Sequence, residues 1–214
     1  MENVKWSREQ MLEVFSLHIP KTGGTSFGKS LQLMYGKNYL AYYPEFNNQG
    51  LEHFDLFLEK KCIHGHLMLD HYRQLLEQTA LITWLRCPVD RTISLYHHIW
   101  EHFDDQNEFH QKVLKEKLSL IDFSEMPEND NQLFRWIGDR NPEDFKFIGF
   151  LENVEKSIAK CSAVLGWSHV PNFPWTNRTR KIKKRKISSK EREFIKMKNS
   201  EEHVWIEKAK ELFG

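Results

Sequence analysis

Residues 17–27 read "LHIPKTGGTSF", and the reading of the fold starts from this stretch. The apolar run over residues 11–19 predicts a buried strand, interrupted by Pro20, which suits a central strand poorly. Gly23 and Gly24 then permit a sharp turn. Thr25 or Ser26 is placed to cap a helix whose apolar positions are Phe27, Leu31 and Met34. Where a strand hands over to a helix, the first helical N–H groups lack partners and the helix dipole favours negative charge. Lys21 adds a mobile cation there, and Thr22, Thr25 and Ser26 add hydroxyls, so the turn suits a phosphate-like anion. The spacing is not that of a Walker A loop, because Lys21 precedes the glycines instead of following them. On these residues alone, an ordinary turn with an exposed lysine is an equal reading.

A second handover follows in residues 83–98, "TWLRCPVDRTISLYHH". Ala80–Leu85 predicts an apolar strand. Pro88 is placed to open a helix with Asp90 in its first turn, and Ile93, Tyr96, His97 and Trp100 form a helical face. Arg86 sits at the junction, where a planar guanidinium makes a fixed, forked contact with phosphate. Ser94 lies two turns on. Arg91 and Ser94 are one turn apart and are expected to face alike. Two anion-competent strand ends suit a ligand with phosphates at both ends. The alternative is that Arg86 pairs with a carboxylate and Ser94 is a plain surface residue.

The rest of the chain fills in an α/β pattern. Residues 35–48 read as an aromatic loop, a candidate ligand wall, and residues 51–59 as a short helix. Residues 61–66, "KCIHGH", read as a strand ending in Gly65. A second helical segment is expected over residues 101–119, another helix over 131–137 and a strand over 145–150. A helix over 152–165 ends at Gly166, and an ordered loop spans 166–177. A strongly basic run covers 178–185, and a final helical region runs from Ser188 to near Phe213. Strands separated by helices in this order predict a sandwich around a mostly parallel sheet, in a single domain over residues 1–214.

Composition narrows the partners. The 31 basic residues nearly balance 30 acidic ones, so the global charge implies no nucleic-acid partner. Cys62, Cys87 and Cys161 are odd in number and far apart, which gives no disulfide framework and no paired metal signature and suits a reducing compartment. The first ten residues, "MENVKWSREQ", are too polar for a secretory core. No apolar run approaches the roughly 20 residues that span a bilayer. The expectation is a soluble, cytoplasmic protein without membrane insertion.

"HIPKTGGTSF" followed by "LRCPVDRTISLY" resembles the paired motifs of the sulfotransferase superfamily, especially its carbohydrate branch. The resemblance implies a P-loop-like three-layer fold and 3'-phosphoadenosine 5'-phosphosulfate (PAPS) as donor, with 3'-phosphoadenosine 5'-phosphate (PAP) as product. It implies that Lys21, Thr22, Gly23, Gly24, Thr25 and Ser26 hold the 5'-phosphosulfate, and that Arg86 and Ser94 hold the 3'-phosphate. "IHGH" is similar to the His-Gly-His segment of the uronyl 2-O-sulfotransferases, which implies His66 as base and His64 as helper or acceptor contact. An imidazole with a pKa near 6.5 suits deprotonation of a hydroxyl near neutral pH. The acceptor implied is a saccharide or another hydroxyl compound, and His18 is placed to line the site.

Further on, "KFIGFLENVEKSIAKCSAVLGW" resembles the family's later strand and helix. Asn177, Arg178 and Arg180 are implied on the 3'-phosphate or adenine side, with Asn131 and Gln132 either near the site or forming a polar helix start. Cys87 departs from the family, where an acidic residue is frequent. Neither anchor nor stem is read, which suggests a bare catalytic domain of bacterial type. No metal is expected, since His64, His66 and Asp70 are also satisfied by ordinary hydrogen bonds. The alternatives are a Mg²⁺-dependent nucleotide kinase or hydrolase, or a polyanion-binding protein built on residues 178–190.

Overall fold

The structure, a computed structural model, describes residues 12–43, 57, 59–175 and 186–214. The helix expected over 51–59 lies largely outside these residues. The basic run over 178–185 lies outside them as well, as do Asn177, Arg178 and Arg180.

The strands are β1 (Val14–Leu17), β2 (Tyr39–Tyr42), β3 (Cys62–Gly65), β4 (Ala80–Leu85) and β5 (Phe147–Phe150). Among the described residues they form one five-stranded sheet of order β2-β3-β1-β4-β5, with every pairing parallel. The helices are α1 (Gly24–Tyr35), α2 (Arg73–Leu76), α3 (Pro88–Glu101), α4 (Glu108–Lys115) and α5 (Leu120–Glu125). They continue with α6 (Leu133–Ile137), α7 (Val154–Val164), α8 (Ser189–Lys198) and α9 (Ser200–Phe213).

Strand alternation divides the core between the two faces of the sheet. Val14, Cys62, Ile82, Trp84 and Phe147 pack with Phe27 and Leu31 of α1 and Ile158 of α7. Phe15, Leu17, Ile63, Leu81, Leu85 and Ile148 pack on the opposite face with Leu133 of α6 and Trp205 and Ile206 of α9. This is the predicted three-layer arrangement. A further cluster joins Val89 and Ile99 of α3, Val113 of α4, Phe123 of α5 and Ile195 of α8.

Some expectations need correcting. Tyr39–Tyr42 is a strand where a loop was expected; the run is short, and its partner β3 lies far along the chain. Helix α1 is capped by the backbone of Gly23, at φ 91°, and neither Thr25 nor Ser26 caps it; both lie inside its first turn. The segment expected over 101–119 is helical only from Glu108 to Lys115, capped at Asn107. The final helical region does start at the Ser188 capping box, but it breaks at Asn199 into α8 and α9.

Candidate active site

Loops at the carboxyl ends of β1, β3 and β4 come together, as ligand sites do in open parallel sheets. From β1 the chain turns toward β3 and β2, whereas from β4 it turns toward β5, so the crevice between these neighbours is the point of reversal.

The turn after β1 is built from unusual backbone. Lys21 has φ 67° and Gly23 has φ 91°, both left-handed. Alternation of this kind gathers successive N–H groups into a concave anion nest. The Thr22 hydroxyl donates to the Ile19 carbonyl at 2.8 Å, which closes the turn from beneath. Ser26 and Phe27 N–H groups both return to the Gly23 carbonyl, at 3.0 and 3.1 Å. Both glycines are required by space. A Cβ on Gly23 would lie 2.6 Å from Leu151 Cδ1, and one on Gly24 would lie 1.9 Å from His18 Cδ2.

Arg86 follows β4 immediately, and its guanidinium donates to the Lys21 carbonyl at 3.5 Å. The second cradle is thereby tied to the first. The expected carboxylate alternative falls on another arginine: Arg91 is buried and bidentate to Glu202 of α9, at 3.2 and 3.0 Å, and also donates to Gln132. Arg91 therefore does not face as Ser94 does; Ser94 stays half-exposed on α3. Asn131 accepts from the Glu202 N–H at 3.0 Å, so Asn131 and Gln132 brace this ion pair. At the start of α3, the Cys87 N–H donates to the Glu152 carboxylate at 2.6 Å. Glu152, just after β5, thereby ties the start of α3 to the neighbouring strand end.

Three imidazoles line the β3 side. Ser16 and His64 are register partners on β1 and β3, with Ser16 Oγ 2.9 Å from His64 Nδ1. His64 Nε2 is 3.0 Å from the Gly24 carbonyl, which only accepts, so Nε2 carries the proton and Nδ1 accepts from Ser16. Burial holds the His64 pKa at about 3, with the Gly24 hydrogen bond opposing the shift and His66 adding to it. The His18 ring stacks on His64, with centroids 5.1 Å apart and planes 12° apart, and its Nδ1 is hydrogen-bonded to the Tyr43 hydroxyl at 2.9 Å. Burial, then His64, His66 and Lys21, keep His18 well below its ordinary pKa.

His66 is half-buried just beyond β3. Its ring centroid lies 4.6 Å from that of His18, 4.8 Å from that of Tyr43 and 5.5 Å from that of Trp136. Asp70 is engaged elsewhere, by Arg73 at 2.6 Å and Arg140 at 3.5 Å. Across the crevice, burial and then the Lys21 ammonium lower His98 of α3 to about 4. Sequence reasoning gave little weight to His98, Tyr43 and Ser16. The pairing of Ser16 with His64 depends on the register of β1 against β3, which no local pattern carries.

A model described as "Sulfotransferase family" matches residues 8–213. The chain belongs to the sulfotransferase family. That match runs through both cradles, the His-Gly-His segment and the final helices. No curated protein matches the chain. Among solved structures, a mouse sulfotransferase, SULT7A1, complexed with PAP, is similar at 16% identity and a TM-score of 0.46. The alignment covers 90% of this chain and 65% of that one.

Proposed function

We propose that this sulfotransferase-family chain transfers a sulfuryl group from PAPS to an acceptor hydroxyl, with a carbohydrate as acceptor and His66 as base. The observation that carries the reading is the joining of the two anion cradles, Arg86 to the Lys21 carbonyl, at adjacent parallel strand ends. A donor with phosphate at both ends suits two cradles fixed against each other.

The residues fit such a donor. The cradle has no room for side chains at Gly23 and Gly24, and its left-handed turn faces N–H groups toward an anion. Lys21, Gly23, Gly24, Thr25 and Ser26 would hold the phosphosulfate end, with Thr22, its hydroxyl on the Ile19 carbonyl, holding the turn in shape beneath them. Arg86 and Ser94 would hold the 3'-phosphate, with Asn177, Arg178 and Arg180 on the same side. PAPS, when bound, supplies the sulfuryl group and a phosphate leaving group.

The chain's own contribution is placement and charge. Lys21 and the N–H groups of the turn stabilise negative charge as it develops, which is worth most where donors are already oriented. His66 takes the proton from the acceptor hydroxyl, raising its nucleophilicity. His64, with both nitrogens engaged by Ser16 and Gly24, supports the loop and leaves the proton transfer to His66. His18 stays neutral between them, so a second positive charge does not suppress the base.

Calorimetry with PAP, AMP and ATP tests the reading. Selective binding of PAP is expected. Equal binding of all three, or none, would count decisively against it.

A further inference from the structure

The two cradles meet a common support, the turn that follows β5. Phe150 at the end of β5 is the register partner of Leu85 at the end of β4. Beyond that pair the chain makes a short 3-10 turn over Leu151–Asn153, while β4 runs on through Arg86 and Cys87 into α3. The turn is fastened at its root, where Ser157 Oγ of α7 accepts from the Phe150 N–H at 3.0 Å. Its first two side chains then reach different cradles. Leu151 lies against Gly23, where a Cβ would come within 2.6 Å of Leu151 Cδ1. Glu152 accepts from the Cys87 N–H at 2.6 Å.

Glu152 does at Cys87 what α3 does not do for itself. In a capping box, the side chain of the third helical residue reaches back to the N–H of the residue that precedes the helix. Here that third residue is Asp90, whose carboxylate is held instead by Arg192 of α8 at 2.7 Å. The Cys87 side chain makes no capping hydrogen bond, and Pro88 has no N–H to offer. A carboxylate from the neighbouring strand end takes the vacant role, at the end of the helix where the dipole favours it.

The peptide group held in this way is the one that joins Arg86 to Cys87. Fixing its plane fixes the direction in which the Arg86 side chain departs toward the Lys21 carbonyl, 3.5 Å away. Such aim matters for arginine, whose planar fork makes its two-pronged contact with phosphate in one orientation. Leu151 acts at the other end, packed on the left-handed Gly23 at φ 91°.

We infer that Glu152 is a positioning residue for the 3'-phosphate: through the Cys87 N–H it aims Arg86, while its neighbour Leu151 supports the 5' cradle. The inference rests on the PAPS reading above. Glu152 is exposed, so its replacement leaves the fold intact, which a thermal melt checks.

Calorimetry on the full chain with PAP, and with AMP, which lacks the 3'-phosphate, separates the two ends. Wild type should prefer PAP to AMP by at least about tenfold, the scale of a charge-assisted contact. Glu152→Ala should cut that preference by about fivefold or more, with AMP affinity held within about twofold, as expected for one hydrogen bond lost behind the arginine. Glu152→Gln keeps an acceptor for the Cys87 N–H and should keep the preference within about twofold of wild type. Both variants lose the same negative charge, so the difference between them reads the hydrogen bond. Leu151→Ala should weaken PAP and AMP by similar factors. An unchanged preference in Glu152→Ala, or equal losses in the alanine and glutamine variants, overturns the positioning role with the donor reading intact. A loss of preference in Leu151→Ala as large as that in Glu152→Ala overturns the division between the two side chains. A wild type that binds PAP no better than AMP overturns the donor reading, and the inference with it.

Discussion

Ser16 Oγ lies 2.9 Å from His64 Nδ1, and the other nitrogen of the same ring lies 3.0 Å from the carbonyl of Gly24. One buried imidazole therefore spans β1, β3 and the first residue of α1. Replacing His64 by alanine leaves a cavity beside Phe27, whose ring lies 6.1 Å from it, and strips a partner from both neighbours. A loss of about 2–4 kcal/mol is expected, measured by urea unfolding. Weaker PAP binding should accompany it, because Gly24 opens the helix at the cradle. A variant with wild-type stability would mean that the ring is not a strut.

The same ring predicts a pH dependence of folding. His64 has a pKa of about 3 in the folded chain, against about 6.5 when unfolded, and His18 is lowered too. Between those values the unfolded state binds more protons, so stability is full above pH 6.5 and falls as the pH drops toward 3. The slope is up to about 1.4 kcal/mol per pH unit for each such group. Denaturation midpoints taken from pH 7.5 down to pH 4.5 check this, and His64→Gln should flatten the curve.

Gly24→Ala should be the most damaging change in the donor loop. Its Cβ would fall 1.9 Å from His18 Cδ2, so either the imidazole or the helix start must move. Gly23→Ala adds a left-handed backbone at φ 91° and a contact with Leu151, costing about 1–3 kcal/mol. Calorimetry should show a large loss of PAP affinity in each. Retained affinity in Gly24→Ala would remove the steric basis of the cradle.

Kinetics separate the two cradles. Lys21→Ala should lower kcat by about 10²–10³ with a smaller change in donor affinity, as expected where a charge acts mainly on the transition state. Arg86→Ala should weaken PAP by about 10–100-fold, the scale of a charge-assisted hydrogen bond. His66→Ala should lower the rate and leave PAP affinity nearly unchanged. Full activity of that variant across pH would remove His66 as the base.

Arg91 and Glu202 are both about 2% exposed. Removing one member strands the other's charge, so Arg91→Ala should cost about 3–5 kcal/mol. Arg91→Met/Glu202→Leu should be far less harmful than the sum of the single changes. A double-mutant cycle in urea reads the difference.

Much of this architecture is legible in the residues, for reasons visible element by element. Ala80–Leu85 is an apolar run interrupted only by Thr83 and bounded by Arg86, and Pro88 fixes the start of α3, so both boundaries match the expectation. Strand β2 is not legible. Its four residues mix aromatic and small side chains without strict alternation, and pairing with β3 supplies what the local sequence lacks. Arg91 illustrates a different limit. Helical spacing places it near Ser94, but its partner Glu202 is over a hundred residues away, beyond the reach of any local pattern. The histidines are intermediate: "IHGH" marks the segment, whereas the engagement of both His64 nitrogens, on which the proposed division of labour with His66 rests, comes from Ser16 and Gly24.

The Arg91–Glu202 pair also sets how much of the chain the donor pocket needs. Helix α3 carries Ser94 and follows directly from Arg86, and α9 holds it through a single carboxylate near the carboxyl terminus. Trimming the last fourteen or so residues would look like the loss of a remote tail. It would instead unfasten α3 and strip Trp205 and Ile206 from one face of the sheet, so limited proteolysis there should cost the proposed donor pocket and the fold together.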